Sequence, residues 1–181
     1  EDHGKMHNCD HSGCSSVPTN ASVHQTLDEM EWERGIWYAA LTGDIEKVKS
    51  IINKANDPRT VVRAPDNSGY TALHYASRNG HTAICELLIS NGANVDAQTR
   101  SGKTTPLHKA AVTGKLDIVK LLLNKKACPM IQDADGQTLL HRAAENKHED
   151  IVEFLLEAHP ALKDIKDNRN RIFKSRNFPK I

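Results

Sequence analysis

The chain has 181 residues, 38% apolar and 26% charged, with a formal net charge of +1, the profile of one soluble globular domain rather than of a disordered tail. No run of 18 apolar residues is present for a membrane span, and the first 24 residues lack the apolar core of a secretory signal, so a cytoplasmic or nuclear protein is expected. Cys9, Cys14, Cys85 and Cys128 are too sparse for a disulfide framework, and reduced thiols follow.

In chain order, the segment 1 to 24 comes first and holds the cluster with the chemistry of metal ligands: His3, His7, Cys9, His11 and Cys14. Imidazoles and thiolates suit zinc, but the second ligand pair of a finger is missing, and the Asp, Ser and Gly between them read equally well as a flexible tail. No metal is assigned, and a zinc-binding N-terminal segment stays an alternative. Residues 1 to 34 carry seven acids against Lys5 and Arg34. Thr26 with Glu29 has capping-box spacing, which predicts a lead-in helix over Gln25 to Ile36.

Beyond that point the chain repeats itself. Leu73-His74, Leu107-His108 and Leu140-His141 recur at steps of 34 and 33, a period that signals stacked supersecondary units. Thr71, Thr105 and Thr138 supply N-cap hydroxyls, and Pro106 occupies a first helical position where its missing donor does no harm. Ala76, Ala110-Ala111 and Ala143-Ala144 keep bulk away from where two helices approach, and Gly80 and Gly114 end the first helix. A second helix follows, with Asp117 or Glu149-Asp150 in its first turn and Ile84/Leu87/Leu88, Ile118/Leu121/Leu122 or Ile151/Phe154/Leu155 on its buried face. A worn copy lies upstream, where Trp37 to Asp44 aligns with His74 to His81 and Trp37 stands in the histidine position.

These residues resemble the ankyrin repeat, whose pattern runs G-x-T-P-L-H-x-A-A-x-x-G-H and then I-V-x-L-L-L-x-x-G-A, over about Ile36 to Asp167. The resemblance implies an all-α solenoid of about four helix-turn-helix repeats, near 33–64, 66–98, 99–132 and 133–165, joined by β-hairpin-like loops. The repeat domain is then 25–168, preceded by the segment 1–24 and followed by a basic tail, 169–181. Within it His74, His108 and His141 are structural. The chain departs from the pattern at several places. Lys147 replaces a helix-ending glycine, with Asn146 as the alternative holder of that role, Lys126 and His159 replace a second glycine, and Thr104 is one residue too many. Pro58 and Pro65 predict a protruding loop between Ala55 and Gly69, and the C-terminal end is expected to fray after Asp167.

The motifs give no enzyme. HEDIV at His148 lacks the second histidine of a zinc protease, Gly102-Lys103-Thr104 lacks the upstream glycine of a phosphate loop, and no catalytic residue or cofactor is assigned. The resemblance implies instead a protein-protein interaction module or adaptor that binds a protein partner, not a small-molecule substrate, through the concave face of the stack. Its variable positions fall on Tyr70, Tyr75, Arg78, Asn79, Arg100, Lys103, Lys109, Gln137, Arg142 and Glu145. Tyr70, Tyr75, Arg78 and Arg142 are the expected anchors, because Tyr and Arg dominate interface energetics. It also implies Asp96 as a candidate for hydroxylation. The rival reading uses the basic tail, where Arg169, Arg171, Lys174, Arg176 and Lys180 with Phe173 and Phe178 could hold nucleic acid or an acidic surface by charge and stacking.

Overall fold

A computed structural model describes residues 35–173. The Cys/His segment, the lead-in helix as far as Arg34, and positions 174–181 of the basic tail lie outside the described residues. Among the described residues there are nine α-helices, one 3-10 helix and no strand. Four helix pairs carry the architecture: α1 (Ile36–Thr42) with α2 (Ile45–Lys54), α4 (Ala72–Asn79) with α5 (Thr82–Ser90), α6 (Pro106–Val112) with α7 (Leu116–Asn124), and α8 (Leu139–Glu145) with α9 (Glu149–Ala158). A short α3 (Pro58–Arg63) lies between the first two pairs, and the 3-10 helix Pro160–Asp164 follows the last.

Helices of 7 to 10 residues are too short to persist alone, so packing must hold them. First helices stack on first helices in the series α1, α4, α6, α8, and the second helices stack behind them. Ala39, Ala40, Ala76, Ala110, Ala111 and Ala143 are fully buried, which lets the first helices approach closely, while Leu73, Leu107 and Leu140 fill the space between layers.

The histidines tie each unit to the next. The backbone N–H of Thr71 donates to His74 Nδ1 at 3.1 Å, so Nδ1 must be the acceptor and the ring proton sits on Nε2. From there Nε2 donates across the stack to the carbonyl of Thr104 at 3.0 Å. His108 repeats the arrangement with Thr105 N–H and the Gln137 carbonyl at 3.1 Å, and His141 does so with Thr138 N–H and the Arg171 carbonyl at 3.3 Å. Trp37, in the histidine position, does the crossing step alone: its indole N–H donates to the Ala64 carbonyl at 2.9 Å. His81 and His148 make a second set of crossings, reaching back to the Leu41 carbonyl at 3.2 Å and the Val112 carbonyl at 2.9 Å.

Between pairs the chain turns through hairpin-like loops closed by a backbone bond: Asp66 N–H to the Tyr70 carbonyl, Thr99 to Thr104, Asp133 to Gln137, and Asp167 to Arg171. Successive loops join at their tips, with Arg100 N–H on the Ser68 carbonyl, Ala134 N–H on the Gly102 carbonyl and Asn168 N–H on the Asp135 carbonyl. Gly69 shows why glycine stands there: its φ is +87°, and a Cβ would come within 2.6 Å of the Arg100 nitrogen.

The structure departs from the sequence expectations in four places. The predicted protruding loop is α3, capped by Asp57, opened by Pro58 and pinned inward by the fully buried Val62. Lys147, with φ 62°, itself takes the left-handed position, and Asn146 at φ −91° does not. His159 at φ −138° stays out of the left-handed region that Gly92 and Lys126 occupy, because the 3-10 helix begins directly after it. The fraying expected after Asp167 is absent through Phe173: Asp167 is buried, Asn170 takes the left-handed turn position at φ 59°, and Arg171 caps His141. Arg169 and Arg171 thus belong to a turn of the stack.

Burial pushes the His74 imidazole down from 6.5 to about 4, with the Thr104 carbonyl opposing it, and burial pushes His108 down as well. Unfolded chains therefore bind protons below pH 6.5 that the folded stack refuses, so stability is complete above 6.5 and is lost as the pH falls toward 4, by roughly 3 kcal/mol for a shift of this size at His74. Urea midpoints at pH 7 and pH 4.5 check this, and a midpoint that holds or rises on acidification refutes it. Separately, Lys147→Gly removes a left-handed strain of about 1–2 kcal/mol against roughly 0.5–1 kcal/mol of added chain entropy. The melting temperature should rise by about 2–4 °C, as read by circular dichroism.

Candidate partner-binding face

The residue that follows each stacking histidine, or Trp37, stands at the same place on successive first helices: Tyr38, Tyr75, Lys109 and Arg142. What holds these side chains comes from the preceding hairpin. Asp66 Oδ1 accepts the N–H groups of Ser68 and Tyr70 at 2.8 and 2.9 Å, and its Oδ2 accepts the Tyr75 hydroxyl at 2.6 Å. Burial, then the Asp66 carboxylate, hold the Tyr75 hydroxyl well above the usual phenol range, so it remains a donor. Asp133 accepts Asp135 and Gln137 N–H in the same way, and its other oxygen takes the Arg142 guanidinium at 2.7 and 2.5 Å. Arg142 also bridges Asp135 at 2.9 Å and Glu145 at 3.5 Å. Burial alone would weaken the Arg142 charge, but the bonds and charges of Asp133, Asp135 and Glu145 together outweigh it and raise the guanidinium above its ordinary value.

The expected site residues fall into three groups. Tyr70, Tyr75, Arg78 and Lys109 come together: the Tyr70 ring lies 5.6 Å from Tyr75 and edge-on to His74 at 5.5 Å, and Lys109 Nζ sits 4.8 Å over it while donating to its hydroxyl at 3.0 Å. Arg78 is exposed, one helical turn beyond Tyr75. Gln137, Arg142 and Glu145 form the second group, with Gln137 Nε2 donating to Glu145 at 2.5 Å. Gln137, expected on the partner-binding face, is 4% exposed, because its place beneath the hairpin turns it into the stack. Arg100 and Lys103 make the third group, exposed at the hairpin tip. Asn79 stands apart, its amide donating to the Leu41 carbonyl of the preceding unit at 2.6 Å.

Other candidates have internal partners. Asp96 accepts the Cys128 N–H at 3.0 Å and so joins two units. Arg171 of the basic segment is forked onto Asp167 at 2.9 and 2.7 Å, and although burial opposes the charge, the bonds from Arg171 and Arg169 hold the Asp167 carboxyl down at about 2. The hairpin carboxylates Asp66 and Asp133 were not singled out by the sequence reading. Their signal is an Asp three residues before a glycine, at Asp66/Gly69 and Asp133/Gly136, which marks a turn whose carboxylate collects backbone N–H groups.

A family model described as ankyrin repeats (3 copies) matches residues 19–99 and 94–167. Among curated relatives, the human ankyrin repeat domain-containing protein 39 is 55% identical over 92 residues, half of this chain and 48% of that protein, and its Bos taurus counterpart is 59% identical over 76 residues, 41% of this chain and 39% of that one. The match thus spans about half the length of the human relative or less. A yeast protein described as probable 26S proteasome regulatory subunit p28 is 34% identical over 152 residues, 83% of this chain and 64% of that protein.

Breaking a hairpin carboxylate should therefore be far more damaging than removing an exposed neighbour. Asp133→Ala takes from Arg142 its buried partner and strands two backbone donors, and is expected to cost about 2–4 kcal/mol, whereas Asp135→Ala, at the exposed end of the same cluster, should cost under about 1 kcal/mol. Urea unfolding of both variants against the parent chain measures the difference, and equal costs would refute this account of the hairpin.

Proposed function

Because the chain belongs to the ankyrin-repeat family, we propose that it acts without catalysis, as a cytoplasmic adaptor that binds a protein partner across its first helices and hairpin tips. One observation carries the reading: a single backbone address, the residue after each stacking histidine or Trp37, presents Tyr38, Tyr75, Lys109 and Arg142 in sequence along the stack. A shared scaffold with unlike side chains at one repeating position is how such arrays separate folding from recognition. The description of the yeast relative as a regulatory subunit of a larger assembly agrees with action through binding.

The test must spare the carboxylates that close the hairpins and the Tyr75 and Arg142 side chains they grip. Arg78, Arg100, Lys103 and Glu145 are exposed, and among the described residues only Arg100, on the Asn67 carbonyl, and Glu145, on Gln137 and Arg142, give up surface bonds, so a variant with all four changed to alanine should stay folded with a melting temperature lower by several degrees at most. Affinity capture from cell lysate should then retain a set of proteins on the parent and on an outer-face control, Glu86→Ala with Glu153→Ala, and lose that set on the fourfold variant. Retention of the same proteins by the fourfold variant would move the binding surface elsewhere.

A further inference from the structure

The third hairpin breaks the rule that the others keep. Where Asp66, Asp133 and Asp167 close their loops, Thr99 does so, and its hydroxyl accepts Thr104 N–H at 3.1 Å across a loop longer by one residue. Asp66 partners Tyr75 and Asp133 partners Arg142, yet Lys109, at the same helical position, follows a hairpin with no carboxylate to give it. Lys109 turns instead to the Tyr70 ring and hydroxyl.

Its surroundings extend the imbalance. From residue 67 to 113 the cations are Arg78, Arg100, Lys103 and Lys109, and the acids are Glu86 and Asp96. Glu86 lies on second helix α5, and Asp96 is tied to Cys128. Among the described residues, none of the four cations is in an ion pair. The carboxylates of the neighbouring hairpins are occupied within their own units, Asp66 by two N–H groups and Tyr75, Asp133 by two N–H groups and Arg142. The fourth unit, in contrast, neutralises its Arg142 internally with three carboxylates.

We infer that the middle of this face, Arg78, Arg100, Lys103 and Lys109 with Tyr70 and Tyr75, is the docking site for an acidic peptide segment of the partner protein, one of whose carboxylates fills the position beside Lys109 that Thr99 leaves vacant. The inference rests on the reading of this face as the partner-binding one. Charge complementarity selects the occupant: four cations lacking ion-pair partners attract carboxylates. The two tyrosines supply the rigid contact area that anchors a peptide chain. Nucleic acid is disfavoured because the cations are interrupted on one side by the Asp66–Tyr75 pair and on the other by the acids around Arg142, so no continuous basic track follows a phosphate backbone.

Panning a random phage-displayed peptide library against the full chain tests this. Enriched peptides should be rich in Asp and Glu, and synthetic copies should bind the parent chain with an affinity that falls as salt rises from 50 to about 200 mM. Two variants then bear on Lys109. Lys109→Gln should weaken those peptides at least tenfold, and Thr99→Asp, which restores an internal carboxylate, should do the same while leaving the melting temperature at or above that of the parent. Enriched peptides without acids that still lose binding on the fourfold alanine variant would overturn the acidic-peptide inference and leave the binding face in place. Peptides indifferent to all of these variants would overturn both readings. Tighter binding of a 15-nucleotide single-stranded RNA than of any acidic peptide, lost on Lys109→Gln, would also overturn the inference.

Discussion

One imidazole with two unlike nitrogens holds this stack together. In each regular unit Nδ1 accepts the backbone N–H of the capping threonine, which fixes the start of a first helix too short to be stable by itself, and Nε2–H crosses to a carbonyl of the next hairpin. Both bonds exist only for the neutral ring with its proton on Nε2, since a second proton would face an N–H that can only donate. Local capping and cohesion between units are therefore the same event. Trp37 sharpens the point: as the indole N–H can donate but never accept, it keeps the crossing bond and gives up the cap, and Gly35 stands at that helix start without a side-chain cap.

The same economy governs the hairpins. A carboxylate at Asp66 or Asp133 collects backbone N–H groups with one oxygen and grips the residue after the histidine with the other. The side chains best suited to recognition in the abstract, Tyr75 and Arg142, are thus also parts of the scaffold, whereas Arg78, Arg100 and Lys103 reach solvent and Lys109 is shared with Tyr70. Energetic weight at an interface and tolerance to substitution are consequently separated on this face, and an alanine at Tyr75 or Arg142 reports on both at once.

The fold was largely legible because each unit spells its helix start, its close approach and its stop in residue types that have one physical use: Thr with Pro106, the alanine pairs, and Gly80. The errors came where a residue has two uses. Pro58 and Pro65 read as loop punctuation, but Pro58 after Asp57 is equally a helix start, and the buried Val62 decides it, a tertiary fact no local pattern carries. Lys147 was legible as a strained position but not as one that the chain accepts. The C-terminal turn was missed because Asn170 and Arg171 match no repeat letter, although Asn visits left-handed backbone readily and Arg171 contributes only its carbonyl to His141. For the candidate face, the repeat supplied addresses but not orientations. Gln137 and Asn79 occupy expected addresses, yet one is buried beneath its hairpin and the other is bonded to the preceding unit.

The insertion at Thr104 shows why such a face can change while the stack does not. Thr99 and Thr104 still exchange the closing backbone bond, Lys103 absorbs the extra residue in the left-handed region, and Thr105 caps α6 as its counterparts cap α4 and α8. The crossing from His74 still finds its carbonyl, now that of Thr104 itself. Since the closing bond of this loop, its tip bond from Arg100 N–H and the crossing bond from His74 all end on backbone carbonyls, the loop can lose its carboxylate and gain a residue with the strain confined to one lysine. The cost of altering the surface is local, and its consequence, a lysine without a carboxylate of its own, is exposed to whatever the face meets.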